Sequence, residues 1–133
     1  MLNPFPDLLT YSFFVPTLLR ITAACVFLLL AQKIITDRKK ISTISFPIVG
    51  TTPAWLLSAA GVCVAALGVL LFVGYATQWA ALVGALTALK YFFLLSRYPA
   101  MKQFSRSTYA LLFVICVSLL FSGAGALAMD LPL

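Results

Sequence analysis

Seven of the nine basic residues fall in two short stretches, 33–40 and 97–106, and the chain around them is almost wholly apolar. The first stretch carries Lys33, Arg38, Lys39 and Lys40, and the second carries Arg97, Lys102 and Arg106. Apolar blocks about 20 residues long, with basic charge on alternate connections, restrict a chain to one kind of fold. That fold is a polytopic helical membrane protein with a set orientation. Two basic residues, Arg20 and Lys90, stand inside the apolar blocks and need a separate account.

Composition agrees with a bilayer as the natural solvent. Hydrophobic residues make up 63% of the 133 positions and charged residues 9%, whereas soluble domains run near 25% charged. The net charge of +6 is clustered beside the apolar blocks, where it marks a cytoplasmic face and its anionic lipids, and nucleic acid is not expected. Cys25, Cys63 and Cys116 lie in three different blocks with no C-x-x-C pair, so they read as small hydrophobes in packed helices. Histidine is absent, which removes the usual haem, zinc and proton-relay ligand.

The expected class is all-α: an antiparallel bundle of four transmembrane helices forming a single membrane domain over 1–133. Spans are placed at approximately 16–36, 54–73, 79–96 and 107–127, with basic loops at 37–53 and 97–106. Residues 1–15 mix Pro4 and Pro6 with Phe5, Phe13 and Phe14 and read as an interfacial entry segment. No basic residue precedes the first block, so it is expected to remain as a span and not to be a cleaved signal. Pro16 suits the first helical turn. The loop ISTISFPIVGTTP is too polar and too broken to span. Trp55 opens the second span as an interface anchor, and the uncharged turn 74–78 makes spans two and three antiparallel neighbours.

Lys33 at the close of span one and the connections after spans one and three together hold seven Lys and Arg residues, and the other connections and both termini hold none. Both basic loops are therefore expected on the cytoplasmic side of the inner membrane, with both termini outside. Small residues recur every four positions at Ala80, Gly84 and Ala88 and at Ser118, Ser122 and Ala126. Both stripes are expected to make helix–helix contacts within the bundle, with self-association as the alternative use.

Three basic residues are candidates for lipid or ligand contact. Arg20, about one turn into span one, either snorkels to the near surface or forms an ion pair with Asp130, which the topology puts on the same side. Lys90, about two turns from the cytoplasmic end of span three, shares a helical stripe with Trp79, Val83 and Thr87, and its side chain tilts away from the nearer surface. An ionisable residue inside a membrane marks a functional candidate. Lys33 reads as an interfacial anchor, or as a partner of Lys90 in a basic pocket for an anionic headgroup or a quinone carbonyl. No catalytic or metal-binding set is present. Paired carboxylates, a Ser/His/Asp set, a phosphate-cradling loop and metal-ligand spacings are all missing.

Three pieces of the chain resemble the DoxX family of small four-helix bacterial membrane proteins, over most of 16–133. They are Leu18-Leu19-Arg20 opening a helix that closes on Gln32-Lys33; Gly74-Tyr75-Ala76-Thr77-Gln78 before an Ala-rich helix; and Ser122-Gly123-Ala124-Gly125 with Asp130 five residues later. The resemblance implies a four-helix membrane fold. It also implies a link to thiosulfate:quinone oxidoreductase and other membrane redox complexes, or to assembly and trafficking. Arg20, Lys33, Gly123, Gly125 and Asp130 match the family pattern. The chain lacks the glutamate common in the family's second helix, since 59–66 contain no acid, and it lacks the relatives' histidines. Both departures weigh against direct catalysis. The expectation is a non-catalytic membrane subunit or assembly factor of a redox or envelope complex. The alternatives are a lipid- or quinone-binding membrane protein, or a quinone-linked oxidoreductase subunit.

Overall fold

A computed structural model describes residues 14–42, 45–46, 50–51, 53–97 and 104–122. Four long helices dominate: α1 (Val15–Thr36), α3 (Ala54–Val73), α4 (Thr77–Arg97) and α5 (Arg106–Ser122). A five-residue helix α2 (Arg38–Ser42) follows α1, and two-residue strands β1 (Ser45–Phe46) and β2 (Gly50–Thr51) pair antiparallel in the loop before α3. Two stretches, Val15–Thr36 and Trp55–Val73, are long and apolar enough to cross a membrane, and α5 is a shorter apolar helix.

Local chemistry accounts for the helix ends. Pro16 sits in the first turn of α1, where its missing N–H costs nothing. Pro53, in extended geometry, leads into α3. The end of α3 is closed by Gly74 in the left-handed region (φ 76°), with the N–H groups of Gly74 and Tyr75 donating to the Leu70 carbonyl at 2.9 and 3.2 Å. At α5, Ser105 is the cap: its Oγ accepts from the Thr108 N–H at 3.3 Å and lies 2.9 Å from Thr108 Oγ1.

Two residues beyond Gly74, Ala76 also takes a positive φ of 47°. The Cβ of an L-residue is crowded there at a cost of about 1–2 kcal/mol, which glycine avoids. Ala76→Gly is therefore expected to stabilise the protein by roughly 0.5–1 kcal/mol after glycine's extra unfolded-state entropy is subtracted. A detergent-unfolding midpoint that falls in this variant would refute the strain argument.

The helices pack as two antiparallel pairs, α1 on α3 and α4 on α5, closed by contacts of α1 with α5 and of α3 with α4. Glycine sets the α1–α3 approach, because a Cβ on Gly68 would lie 3.0 Å from Leu28 Cγ and 3.3 Å from the Ala24 carbonyl oxygen. Near the other end of the pair, Arg38 donates to Ser58 Oγ at 3.2 Å.

The core runs along Ala23, Phe27, Leu30 and Ile34 of α1, Leu67 and Leu71 of α3, Ala81, Ala85 and Ala88 of α4, and Tyr109, Leu112, Cys116 and Leu119 of α5. Ala80, Gly84 and Ala88 are buried, as their spacing led us to expect. The matching expectation for α5 fails, because Ser118 and Ser122 are exposed. Small residues on α4 are complemented by large ones opposite, so α5 turns its bulky stripe inward and its serines outward. Ala126 lies outside the described residues.

Large apolar side chains also cover the outside. Leu18 and Leu29 of α1, Val62 and Phe72 of α3, Leu86 and Phe93 of α4, and Val114 and Phe121 of α5 are all exposed.

Candidate functional site

The described polar side chains on the long helices gather toward the two ends of the bundle. One end, the basic end, holds the close of α1, the start of α3, the close of α4 and the start of α5. The opposite end holds the start of α1 and the α3–α4 turn.

At the basic end, cations lie on aromatic rings. Lys33 Nζ is 4.2 Å from the ring centroid of Phe104, Arg106 Cζ is 5.3 Å from that of Phe92, and Lys90 Nζ is 5.9 Å from that of Tyr91. Beneath them, Tyr91 stacks on Tyr109 with centroids 5.7 Å apart, and Phe104 meets Tyr109 edge-to-face at 6.4 Å. The cluster ties the end of α1 to the α4–α5 connection. Lys33 and Lys90 are both exposed. The Lys33–Phe104 contact is the best placed, and Phe104→Leu is expected to cost about 0.5–1 kcal/mol. An equal loss when the same change is made in a Lys33→Met background would show that the ring's packing, and not the cation, is responsible.

Lys90 lies on the exterior with Trp79 and Val83, on the stripe its spacing predicts; Thr87, partly buried, satisfies its own hydroxyl by donating to the Val83 carbonyl at 2.7 Å. The face opposite, Ala88, is buried.

At the opposite end the polar groups are inside. Arg20 is 2% exposed, Thr17 4% and Thr77 0%. Thr17 and Arg20 are three residues apart on one face of α1, and Thr77 begins α4. Their relative depth follows from a contact in mid-bundle. A Cβ on Gly84 would lie 3.2 Å from Phe27 Cε2 and Cζ, so those two residues face each other across the interior. Helices α1 and α4 run in the same direction, and two turns earlier on each stand Arg20 and Thr77, on the same inward faces. Snorkelling along the exterior does not describe Arg20. It is enclosed, and it engages other groups of the protein.

Sequence reasoning named Arg20, Lys33 and Lys90, and the structure does not bring the three together. It divides them between a buried cluster and an exposed one. Gly123, Gly125 and Asp130, and with them the expected Arg20–Asp130 pair, lie outside the described residues. Thr17 and Thr77 were missed, although each is a hydroxyl beside or inside an apolar run. Tyr91 and Tyr109 gave no signal, since they meet only through the packing of α4 on α5.

Among the described residues the one carboxylate is Asp37, whose N–H closes α1 on the Lys33 carbonyl at 2.9 Å. Cys25 and Cys63 are exposed and Cys116 is buried. No three His, Cys, Asp or Glu side chains of the described set stand together as a metal site would need. These arrangements suit anion binding and helix anchoring.

The family model for DoxX matches residues 15–97. No curated protein and no solved structure gives a match.

Proposed function

Because the chain belongs to the DoxX family and is a membrane protein, we propose that its four long helices all cross the bacterial inner membrane and serve as a non-catalytic subunit or assembly factor of a redox or envelope complex. The observation that carries the membrane part is the apolar exterior of all four helices together with the two tryptophans. Trp55 and Trp79 are 70% and 73% exposed, near opposite ends of the α3–α4 hairpin. At 1.5 Å per residue their levels differ by about 25 Å, close to the depth of the hydrocarbon layer. Tryptophan at both levels is the expected interfacial belt.

Orientation follows the basic residues, with both termini outside. In a variant with Cys25, Cys63 and Cys116 replaced by alanine, a cysteine at position 39 should be shielded from a membrane-impermeant maleimide in intact cells. A cysteine at position 75 should react. The reverse labelling pattern overturns the orientation.

The subunit role rests on what the resemblance implies, a link to membrane redox complexes, and on the lack of any acid in 59–66 and of any histidine in the sequence. Gentle detergent extraction should recover a stoichiometric partner with the protein. A clean monomer or homo-oligomer counts against the role.

The cations on aromatic rings at the basic end favour a second reading, a membrane protein that holds an anionic lipid or a quinone there. Native mass spectrometry would show a retained lipid or quinone, lost on Lys90→Ala. Unchanged retention in that variant removes Lys90 from the site.

A further inference from the structure

The outer face of α4 carries a charge that a lipid-facing surface does not accommodate. Trp79, Val83, Leu86, Lys90 and Phe93 are all exposed and follow one another in alternating steps of four and three residues. That interval keeps them in one nearly straight line along the helix, the seam through which two helices pack side by side. The interval alone would describe any outward stripe, and the lysine within it sets this one apart. Lys33 stands in the last turn of α1 and Arg106 is the first residue of α5, so both are close to the surface. Lys90 lies seven residues before Arg97, where α4 ends. Among the described residues it is the exposed cation of a long helix that stands away from the helix ends.

Depth and direction make that position costly. At 1.5 Å per residue Lys90 is about 16 Å from the level of Trp79, which leaves it roughly 9 Å inside the tryptophan level at the basic end. Helical side chains lean toward the helix N-terminus, so its stem leans toward mid-membrane and away from the nearer headgroups. Its ammonium lies 5.9 Å from the centroid of the Tyr91 ring and pairs with no carboxylate among the described residues, where Asp37 is the one acid. Ionisable side chains at such depth find a partner, because hydrocarbon does not solvate them.

We propose that this stripe of α4 is the docking face for a transmembrane helix of another protein, which brings an aspartate or glutamate to Lys90. The inference rests on the proposed reading of the chain as a four-span subunit, and it names the face and the chemistry of the partner. Charge complementarity selects that occupant. A second copy docked through the same stripe sets lysine against lysine across a two-fold axis, and the acids of this chain, Asp7, Asp37 and Asp130, all fall outside the expected spans. A lipid phosphate stays at the headgroup level, which the lean of Lys90 faces away from. A carboxylate in a lone span is as poorly solvated as the ammonium, so docking relieves both and fixes the register of the two helices.

The test is photocrosslinking in the cells that make the protein, with p-benzoylphenylalanine in place of Leu86 and, on a control face, in place of Val114 of α5. Position 86 should capture a membrane protein whose spanning segment carries an acid. Lys90→Met and Lys90→Glu should each lower the yield of that adduct about tenfold or more, the loss typical of removing one partner of a desolvated charge pair, and Lys90→Arg should retain most of it. Changing the partner's acid to lysine should restore the yield in the Lys90→Glu protein. The unfolding midpoint of the isolated protein separates lost docking from lost fold: it should not move in Lys90→Met, and a midpoint that falls with the yield overturns the proposal. Adducts at position 86 with lipid alone or with a second copy, or a protein adduct indifferent to Lys90→Met, overturn it too. A protein captured from position 114 but not from 86 does so while leaving the subunit reading intact. A clean monomer on gentle extraction, with no protein captured from either position, removes that reading as well.

Discussion

Gly84→Leu is expected to dismantle the bundle, at a cost of about 3 kcal/mol or more, because no room exists for the new side chain. Even a methyl group there would stand 3.1 Å from Cys116 Sγ and 3.2 Å from the ring of Phe27, and both neighbours are fully buried. Overpacking a dense interior forces side chains out of their rotamers and shifts backbone. In lipid the effect is sharper in one respect. Helices there gain no hydrophobic transfer energy by associating, so close packing carries most of the attraction.

Gly84→Ala is expected to be nearly neutral, since its helix-propensity gain of about 1 kcal/mol offsets the small displacement of Phe27. Phe27→Ala alone should cost about 2–4 kcal/mol through the cavity it opens. The pair is the informative experiment. In Gly84→Leu with Phe27→Ala, the leucine occupies the vacated space, and the double variant should be more stable than additivity predicts by roughly 2 kcal/mol. Unfolding by increasing SDS fraction in mixed micelles measures all three. Strict additivity would mean that the two residues do not share the space described.

Arg20→Met should lower stability by about 3–5 kcal/mol, the usual result of removing one member of a buried charged arrangement. Arg20 is enclosed and makes contacts within the protein, so methionine leaves the groups it engages without its donors and its charge. Arg20→Lys should be only a partial rescue, because an ammonium cannot reproduce a planar fork of donors. Lys90→Met, by contrast, should leave the unfolding midpoint unchanged within error, since Lys90 is exposed on the bundle's exterior. A neutral Arg20→Met, or a Lys90→Met as damaging as it, would reverse the assignment of inside and outside.

Those two cations show where reading the chain alone reaches its end. Both stand in apolar runs, and the sequence made Lys90 the more conspicuous because it has no nearby acid. What separates them is the side of the helix each occupies relative to its neighbours. The Lys90 stripe was legible, because Trp79 and Val83 at helical spacing share the exposed face, and Ala88 faces the core. The burial of Arg20 was not, since α1 is apolar on every face and has no polar stripe to orient it. The same difficulty hid the inward face of α5, where Ser118 and Ser122 resembled a packing stripe and proved exposed.

The sequence by itself determined the helical class, the membrane setting and the family. Apolar run length, helix-stopping residues such as Pro53 and Gly74, and the placement of charge are local properties that need no partner to be read. The tertiary structure alone decided which face of each helix is inside, and it enclosed Arg20 and Thr77 at one level of the interior, with Thr17 about one turn farther out. In an apolar solvent, polarity no longer distinguishes the inside of a bundle from the outside. The fit of small residues against large ones makes that choice, and it is a property of pairs of helices that no single segment carries.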